Sequence, residues 1–167
     1  MAEAKYEAIK RSKVAHFLDV TPGVETPTWV RIGKGVADAS TSYNANVVTE
    51  TFIHEDSASN SVDGYAPQLP ITQHAYKGDK VFEFIDGLRR KRATGSACET
   101  RLLEVYIYDT TDDTTYAAEL NGVTIQIDTF GGAGGERTQI GYNILFNGDH
   151  QEGTCTIQNG VPTFTKA

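Results

Sequence analysis

Apolar and polar residues alternate with a period of two over three long segments of the chain. Segment 122–128 shows the pattern most cleanly, and segments 100–109 and 138–147 repeat it. This alternation is typical of strands with one buried face and one solvated face. Weaker strand signals lie at 13–20, 28–32, 68–76 and 161–165. Because only one face of each strand is apolar, we expect antiparallel sheets.

One segment has the three-and-four spacing of an amphipathic helix. Its apolar positions are Val81, Phe84, Ile85 and Leu88, which fall on one helical face. The sequence predicts a helix over 79–92, with Asp79 as the N-cap and Gly95 just beyond its end. The basic cluster 89–92 closes the helix, where cations interact favourably with the helix dipole.

A long polar stretch, 33–67, separates the early strands from the helix. Its few apolar residues lie near its middle, so a short hairpin could project there. Loops of this length are uncommon in compact domains and are usually functional. We predict a single domain over 1–167 with an N-terminal arm over 1–12. The expected fold is mainly β: two packed antiparallel sheets, as a sandwich or barrel, with one flanking α-helix and a long protruding loop.

The charge balance of the chain is acidic. Lys and Arg number 15 against 22 Asp and Glu, which gives a net charge of −7. This net negative charge disfavours a protein that binds nucleic acid over its whole surface. Cys98 and Cys155 are too few for a disulfide framework, and we expect two unpaired thiols. The sequence indicates no membrane span and no signal peptide.

The sequence carries none of four common catalytic or ligand-binding motifs. The glycine-rich run 131–135 is followed by Glu136 and Arg137 rather than by the Lys of a phosphate loop. The acidic stretch 109–113 lacks the ligand pattern of a calcium loop and is typical of a turn. The Gly-x-Ser-x-Gly motif of serine hydrolases does not occur. None of the four histidines has metal-ligand spacing: His16, His54, His74 and His150. We therefore expect no enzyme activity, no cofactor and no metal.

The basic cluster at the end of the predicted helix has two interpretations. Its side chains could contact phosphates, or they could complement the helix dipole and form salt bridges, including with acidic groups of a neighbouring subunit. We favour the second interpretation. The candidate residues of a subunit interface are Arg89, Arg90 and Arg92.

Four stretches, taken in order, carry a resemblance to a known family. They are WVRIGKG at 29–35, DGYAP at 63–67, HAYKGDKVF at 74–82 and VTIQIDTFGG at 123–132. The third stretch extends through the predicted helix to residue 90. In these stretches the chain resembles the major tail tube proteins of long-tailed, siphovirus-like bacteriophages, especially those of Gram-positive hosts. The resemblance extends over roughly residues 13–165.

The resemblance implies a structural subunit that forms hexameric rings, which stack into a hollow tube and conduct DNA into the host. It also implies contacts with a tape measure protein and with tail terminator and distal tail proteins, in a virion tail made in the bacterial cytoplasm. The loop 33–67 would lock one ring to the next. Its candidate contact residues are Val47, Val48, Thr51, Phe52, Ile53 and Tyr65.

An acidic or neutral tube wall would let DNA slide, whereas a basic wall would hold it through phosphate contacts. The polar strand faces are candidates for this wall, although alternation alone leaves open which face points inward. The candidate lumen residues are Thr124, Gln126, Asp128, Gln139 and Asn143.

Two alternatives stand beside this interpretation. The first is the inner tube of a contractile tail or of a phage-derived bacteriocin. The second is a different class of protein, a β-sandwich module that binds carbohydrate or a cell-surface ligand through aromatic faces. Residues that could supply such faces include Tyr6, Trp29, Tyr43, Tyr65, Tyr106 and Tyr108.

Overall fold

The computed structural model describes residues 3–167. These residues form ten strands, one α-helix and two short 3₁₀ helices, at Arg11–Lys13 and Gly95–Cys98. In chain order the main elements are β1 (Val14–Asp19), β2 (Trp29–Arg31), β3 (Val36–Ala39), β4 (Asn46–Glu50), β5 (Ser59–Gly64), β6 (Gln68–His74), α1 (Lys80–Lys91), β7 (Glu99–Thr110), β8 (Thr115–Gly131), β9 (Gln139–Gln158) and β10 (Val161–Lys166).

The strands form two antiparallel sheets. The main sheet has eight strands in the order β2-β1-β7-β8-β9-β6-β3, and β10 pairs with the second half of β9. Strands β4 and β5 form a separate two-stranded sheet. The main sheet curls into a half-barrel, and β10 lies against β2. The predicted fold class, mainly β with two sheets and one flanking helix, is confirmed.

Two hydrophobic cores lie on opposite faces of the main sheet, because successive residues of a strand point to opposite sides. Leu18 and Leu102 belong to the first core, which also receives the buried face of α1. Phe17 and Leu103, their immediate neighbours in sequence, belong to the second core. The curl of the sheet encloses this second core, where Phe164 of β10 packs.

Helix α1 covers one face of the main sheet. Asp79 is its N-cap, the role that the sequence assigns to it, and Asp79 Oδ1 accepts a hydrogen bond of 3.2 Å from Val81 N. Val81, Ile85 and Leu88 are buried in the first core. The helix ends at Arg92, whose φ of 50° places it in the left-handed region. The apolar stripe read from the sequence therefore fixes which side of the helix faces the sheet.

The long segment 33–67 contains β3 and then the hairpin of β4 and β5. The base of this hairpin is tied to the main sheet by two backbone hydrogen bonds between Ser42 and Gln68, of 2.8 and 2.9 Å. A third backbone bond, of 3.1 Å, joins Ala66 N to Tyr43 O. Beyond these contacts most hairpin residues are exposed, so the segment combines an anchored base with a projecting end.

The start of the described chain is exposed. Residues 3–10 are neither helix nor strand, and residues 1 and 2 of the predicted arm lie outside the described residues. Arg11 then anchors the chain, since its guanidinium donates to Val14 O at 2.7 Å and to Ala39 O at 3.1 Å. No helix within residues 3–167 has the length and apolar character that a membrane span requires.

Candidate assembly surfaces

The five polar residues proposed for a lumen lie on one face of the main sheet, opposite the first core. On β8, Thr124, Gln126 and Asp128 alternate with the core-facing residues of that strand. On β9, Gln139 and Asn143 point to the same side, and Asn143 is the direct cross-strand partner of Gln126. The sequence assigns these residues to a polar face within each strand. The structure shows that the polar faces of β8 and β9 lie on the same side of the sheet.

Side-chain amides on this polar face are held by cross-strand hydrogen bonds. Asn143 Nδ2 donates to Gln68 Oε1 at 2.7 Å, and Asn147 Nδ2 donates to Thr124 Oγ1 at 2.6 Å. These bonds join β9 to β6 on one side and to β8 on the other. The polar face is therefore an ordered surface with its amides partly satisfied by the sheet itself.

Four strands line a shallow depression on this face, with a volume of about 540 Å³. Two carboxylates border it, those of Asp38 and Asp128, and no Lys or Arg within residues 3–167 does so. Gly141 forms part of its floor, and a Cβ there would lie 2.5 Å from Thr129 Oγ1. The depression is therefore mildly acidic and would repel phosphate groups rather than bind them.

The six candidate contact residues of the long loop all lie in or beside the β4–β5 hairpin. Ile53 at its tip is fully exposed, and Phe52 is 49% exposed. Val47 is 54% exposed and Tyr65 64%, whereas Thr51 is exposed and Val48 is half-buried. The hairpin therefore gathers several exposed apolar side chains, and large contiguous patches of this kind are rare on monomeric soluble proteins.

The basic cluster at the end of α1 is partly engaged within the chain. Arg89 donates two hydrogen bonds to Asp86 Oδ1, of 2.9 and 2.6 Å, and its guanidinium lies 3.8 Å from the ring centroid of Phe130. Arg90 pairs with the second oxygen of Asp86 at 2.9 Å. Arg92 donates to the backbone oxygens of Arg89 and Arg90. The cluster therefore neutralises a buried carboxylate and caps the helix, with exposed surface left on Arg90 and Arg92.

Two pairs of ionisable side chains were not predicted from the sequence: a buried carboxylate with a partly exposed arginine, and a buried histidine with a buried glutamate. Asp19 is fully buried, pairs with Arg101 at 3.0 Å, and also accepts hydrogen bonds from the backbone of the turn between β1 and β2. His16 Nε2 lies 3.4 Å from Glu104 Oε1, and both residues are buried. Their partners are more than 80 residues apart in the chain, so only the strand register brings them together.

Burial and nearby carboxylates act on two tyrosines beside Glu104. Burial, followed by the charges of Glu104 and Glu119, raises the pKa of Tyr106 far above its usual range. The same causes, in the same order, raise the pKa of Tyr43. Tyr106 therefore stays protonated and donates a hydrogen bond of 3.1 Å to Glu104 Oε2.

The fold is shared with two solved structures of phage-like particles. A chain from the tail of an empty GTA particle, refined with C6 symmetry, has a TM-score of 0.61 and 13% identity, over 86% of this chain and 97% of that chain. A chain from the six-fold symmetrised baseplate of the anti-feeding prophage (AFP) has a TM-score of 0.51 and 10% identity, over 89% and 97%. No protein-family model and no curated protein matches the sequence. At these identities the likeness shows a shared tail-tube-like fold.

Proposed function

We propose that this chain is a structural subunit of a phage-type tail tube, in which hexameric rings stack and enclose a lumen that conducts DNA. The observation that carries the proposal is the exposed β4–β5 hairpin on a fold shared with a chain of a six-fold symmetric tail. The resemblance to tail tube proteins of siphovirus-like phages of Gram-positive hosts supports the same function.

The hairpin is suited to contacts between rings. A two-stranded hairpin is marginally stable in water on its own, and this one exposes Phe52 and Ile53 at its end. Docking onto another copy would bury these side chains and stabilise the hairpin. Such a contact joins different surfaces of two copies, so it does not close and it generates a filament.

The main sheet is suited to contacts within a ring. Strand β3 lies at the end of the strand order and pairs with β6 alone among the strands of residues 3–167. Its pairing is interrupted between Val36 and Ala39. Free strand edges are prone to pair with another chain, and closure of six sheets into a ring would satisfy them. Arg90 and Arg92 are candidates for further contacts between subunits.

The polar face of the main sheet is suited to the lumen wall. Its carboxylates, Asp38 and Asp128, face a depression that no Lys or Arg among residues 3–167 lines. DNA carries one negative charge per ~1.7 Å of helix axis. A wall of this composition would form few phosphate contacts, so a duplex could pass through it.

We also propose the partners and the location that the resemblance to tail tube proteins implies. The tube would enclose a tape measure protein and would contact tail terminator and distal tail proteins at its ends. It would belong to the virion tail after synthesis in the host cytoplasm. The same rings could also serve as the inner tube of a contractile tail or of a phage-derived bacteriocin.

Negative-stain electron microscopy of the concentrated protein tests the proposal. We expect rings or tubes from the wild type, and folded protein without stacked rings from Ile53→Ser. A matched control is Val24→Ser, since Val24 is 55% exposed in the turn between β1 and β2. A wild-type protein that stays monomeric at high concentration, or stacking by Ile53→Ser equal to that of the control, would contradict the proposal.

The likeness to the AFP baseplate chain favours a second candidate, a ring-forming baseplate component that does not repeat along a tube. The same micrographs distinguish the two functions. Single rings that do not stack at any concentration support the baseplate component, whereas filaments of stacked rings support the tube.

A further inference from the structure

Three glutamates form a row across neighbouring strands of the main sheet. Glu104 of β7 is the cross-strand partner of Glu119 of β8, and Glu119 is in turn the partner of Glu152 of β9. Directly opposite side chains lie on the same face of a sheet with Cβ atoms about 4.5–5.5 Å apart, and like charges there are destabilising. Two adjacent like-charge pairs therefore require a compensating positive charge.

Histidines stand at both ends of this row. His16 Nε2 lies 3.4 Å from Glu104 Oε1, and His150 Nε2 lies 3.4 Å from Glu152 Oε1. Within residues 3–167, no Lys or Arg forms an ion pair with any of the three glutamates. Glu119, the central carboxylate, thus has a like charge on each side and no cationic partner among the described residues.

Three of these side chains form a compact donor set. One carboxylate oxygen from Glu119, one from Glu152 and a ring nitrogen of His150 all lie within 4.8 Å of one another. A divalent ion binds such donors at about 2.0–2.2 Å. Small rotations of the exposed His150 and Glu152 side chains towards the half-buried Glu119 would complete the site. The mixture of imidazole nitrogen with carboxylate oxygen favours zinc and similar ions over calcium or magnesium, which prefer oxygen ligands alone.

A cleft of about 510 Å³ lies beside the donor set. Glu104 and Asn121 line this cleft together with Glu119 and His150, although they are only 3% and 5% exposed. Asn121 Nδ2 has no hydrogen-bond partner within residues 3–167, whereas Glu104 Oε1 is contacted by His16 Nε2 at 3.4 Å. A buried polar atom left unpaired is costly, and an Asn amide can present either its oxygen or its nitrogen. The unpaired, buried amide of Asn121 therefore indicates that the cleft holds a polar or charged ligand.

We propose that Glu119, His150 and Glu152 bind a zinc-class divalent cation, with Glu104 and Asn121 forming the buried polar wall behind it. The ion would supply the positive charge that the row of carboxylates lacks, and it would join β8 to β9. The histidine spacing in the sequence gave no sign of this site, because its ligands come from two strands and meet only through their register. The proposal does not depend on assembly into a tube.

Titration with zinc chloride after removal of metals with a chelator tests the site. We expect isothermal titration calorimetry to show one saturable site per chain, and the melting temperature to rise with zinc concentration, since a ligand that binds the folded state stabilises it. His150→Ala should weaken binding about tenfold or more. His150 and Glu152 have exposed side chains, so substitutions there should leave the fold intact.

His54→Ala is the matched control, because His54 Nε2 also lies 3.5 Å from a carboxylate oxygen of Glu55, but the two belong to no three-ligand group among residues 3–167. This variant should bind zinc like the wild type. Absence of saturable binding by the wild type, or equal binding by His150→Ala, overturns the proposal. A third outcome also overturns it: no response to zinc, together with a higher melting temperature for Glu119→Gln. That result would mean that the carboxylates bind no metal ion: they either repel one another in the isolated chain or pair with a basic side chain of a neighbouring copy.

Discussion

The hydroxyl of Tyr142 donates a hydrogen bond of 3.0 Å to Oε1 of Gln73 in the first core. The amide of Gln73 also donates to Lys34 O at 3.1 Å and to Asp79 Oδ2 at 2.5 Å. Gln73 is fully buried, so its single side chain connects β9, the turn before β3 and the N-cap of α1. Burial raises the pKa of Tyr142, which keeps its hydroxyl a donor.

Replacement of Gln73 by Leu should therefore lower the free energy of unfolding by about 2–4 kcal/mol. The apolar side chain leaves the buried hydroxyl of Tyr142 and one oxygen of the half-buried Asp79 without this partner. A buried group left unsatisfied costs about 1–3 kcal/mol. Urea denaturation measures the loss. Thr72→Val is the control, since Thr72 is the exposed neighbour on the opposite face, and it should change stability by less than about 0.5 kcal/mol. Similar losses in both variants would contradict the role given to Gln73.

The N-cap carboxylate predicts a pH dependence with a definite sign. Burial raises the pKa of Asp79 above its ordinary value of 3.8, although hydrogen bonds from Val81 and Gln73 act in the opposite direction. The folded state then binds the proton more tightly than the unfolded state, so this group's contribution to stability falls as pH rises through its folded pKa. Asp79→Asn removes that contribution, and the variant should gain stability relative to the wild type across this range.

Asp112 supplies the control of opposite sign. Hydrogen bonds from Thr114 and Thr115 lower the pKa of this exposed carboxyl, so its stabilising contribution is present above 3.8 and is lost as pH falls through the folded value. Asp112→Asn should therefore lose stability relative to the wild type as pH rises. Thermal melts at several acidic pH values measure both differences. Curves for Asp79→Asn and the wild type that stay parallel would show that the Asp79 carboxyl is not perturbed by folding.

A third prediction concerns the junction of β9 and β10. A Cβ at Gly153 would lie 2.2 Å from Thr165 O and 2.8 Å from the ring of Phe164, which packs against the second core. Gly153→Ala should force β10 away from β9 and destabilise the protein by about 1–3 kcal/mol, the usual cost of overpacking. Denaturant unfolding followed by fluorescence measures the change.

Gly122→Ala is the control for this substitution. Its Cβ would meet Asn147 O at an ordinary distance of 3.8 Å, and it lies in β8 of the same sheet. Replacement of a strand glycine by alanine there should be neutral or stabilising by up to about 1 kcal/mol, because the unfolded chain loses freedom. If Gly153→Ala were as well tolerated as this control, the close approach of β10 would be disproved.

Local patterns in the sequence were sufficient for the fold class but not for the buried polar contacts. The alternation of Val123, Ile125 and Ile127 identifies a strand and its core face, and Asp79 identifies the start of the helix. The pattern fails where both faces of a strand are exposed. Strand β9 continues to Gln158 rather than ending near Asn147, because residues 147–152 are exposed yet still lie in the strand that pairs with β8.

The remaining features depend on register between distant strands. Gln73 and Tyr142 are 69 residues apart, and the row of Glu104, Glu119 and Glu152 spans three strands. Alternation tells which face a residue takes within its own strand, but it does not tell which residue of another strand lies opposite. For the same reason the sequence predicts Gln126 and Asn143 as separate candidate lumen residues, but it does not predict that they are cross-strand partners.

The proposed lumen wall leads to a final prediction about DNA. Asp128→Lys would place six lysines per hexameric ring on the polar face, repeated in every ring of a tube. Because Lys contacts with phosphates release counterions, tubes of this variant should retain a labelled DNA duplex, and wild-type tubes should not. Co-sedimentation of tubes with the duplex at low and at moderate salt measures retention.

Two comparisons make this test specific to the lumen. Glu136→Lys makes the same change of charge in the turn between β8 and β9, outside the residues that line the polar depression, and its tubes should retain little DNA. Retention by Asp128→Lys should also fall steeply as salt rises, since each phosphate contact contributes about −0.9 to the slope of log affinity against log salt. Equal retention by both variants would mean that DNA binds the outside of the tube. No retention by Asp128→Lys would remove the polar face from the lumen, because lysines that line a duplex-sized bore could not avoid its phosphates.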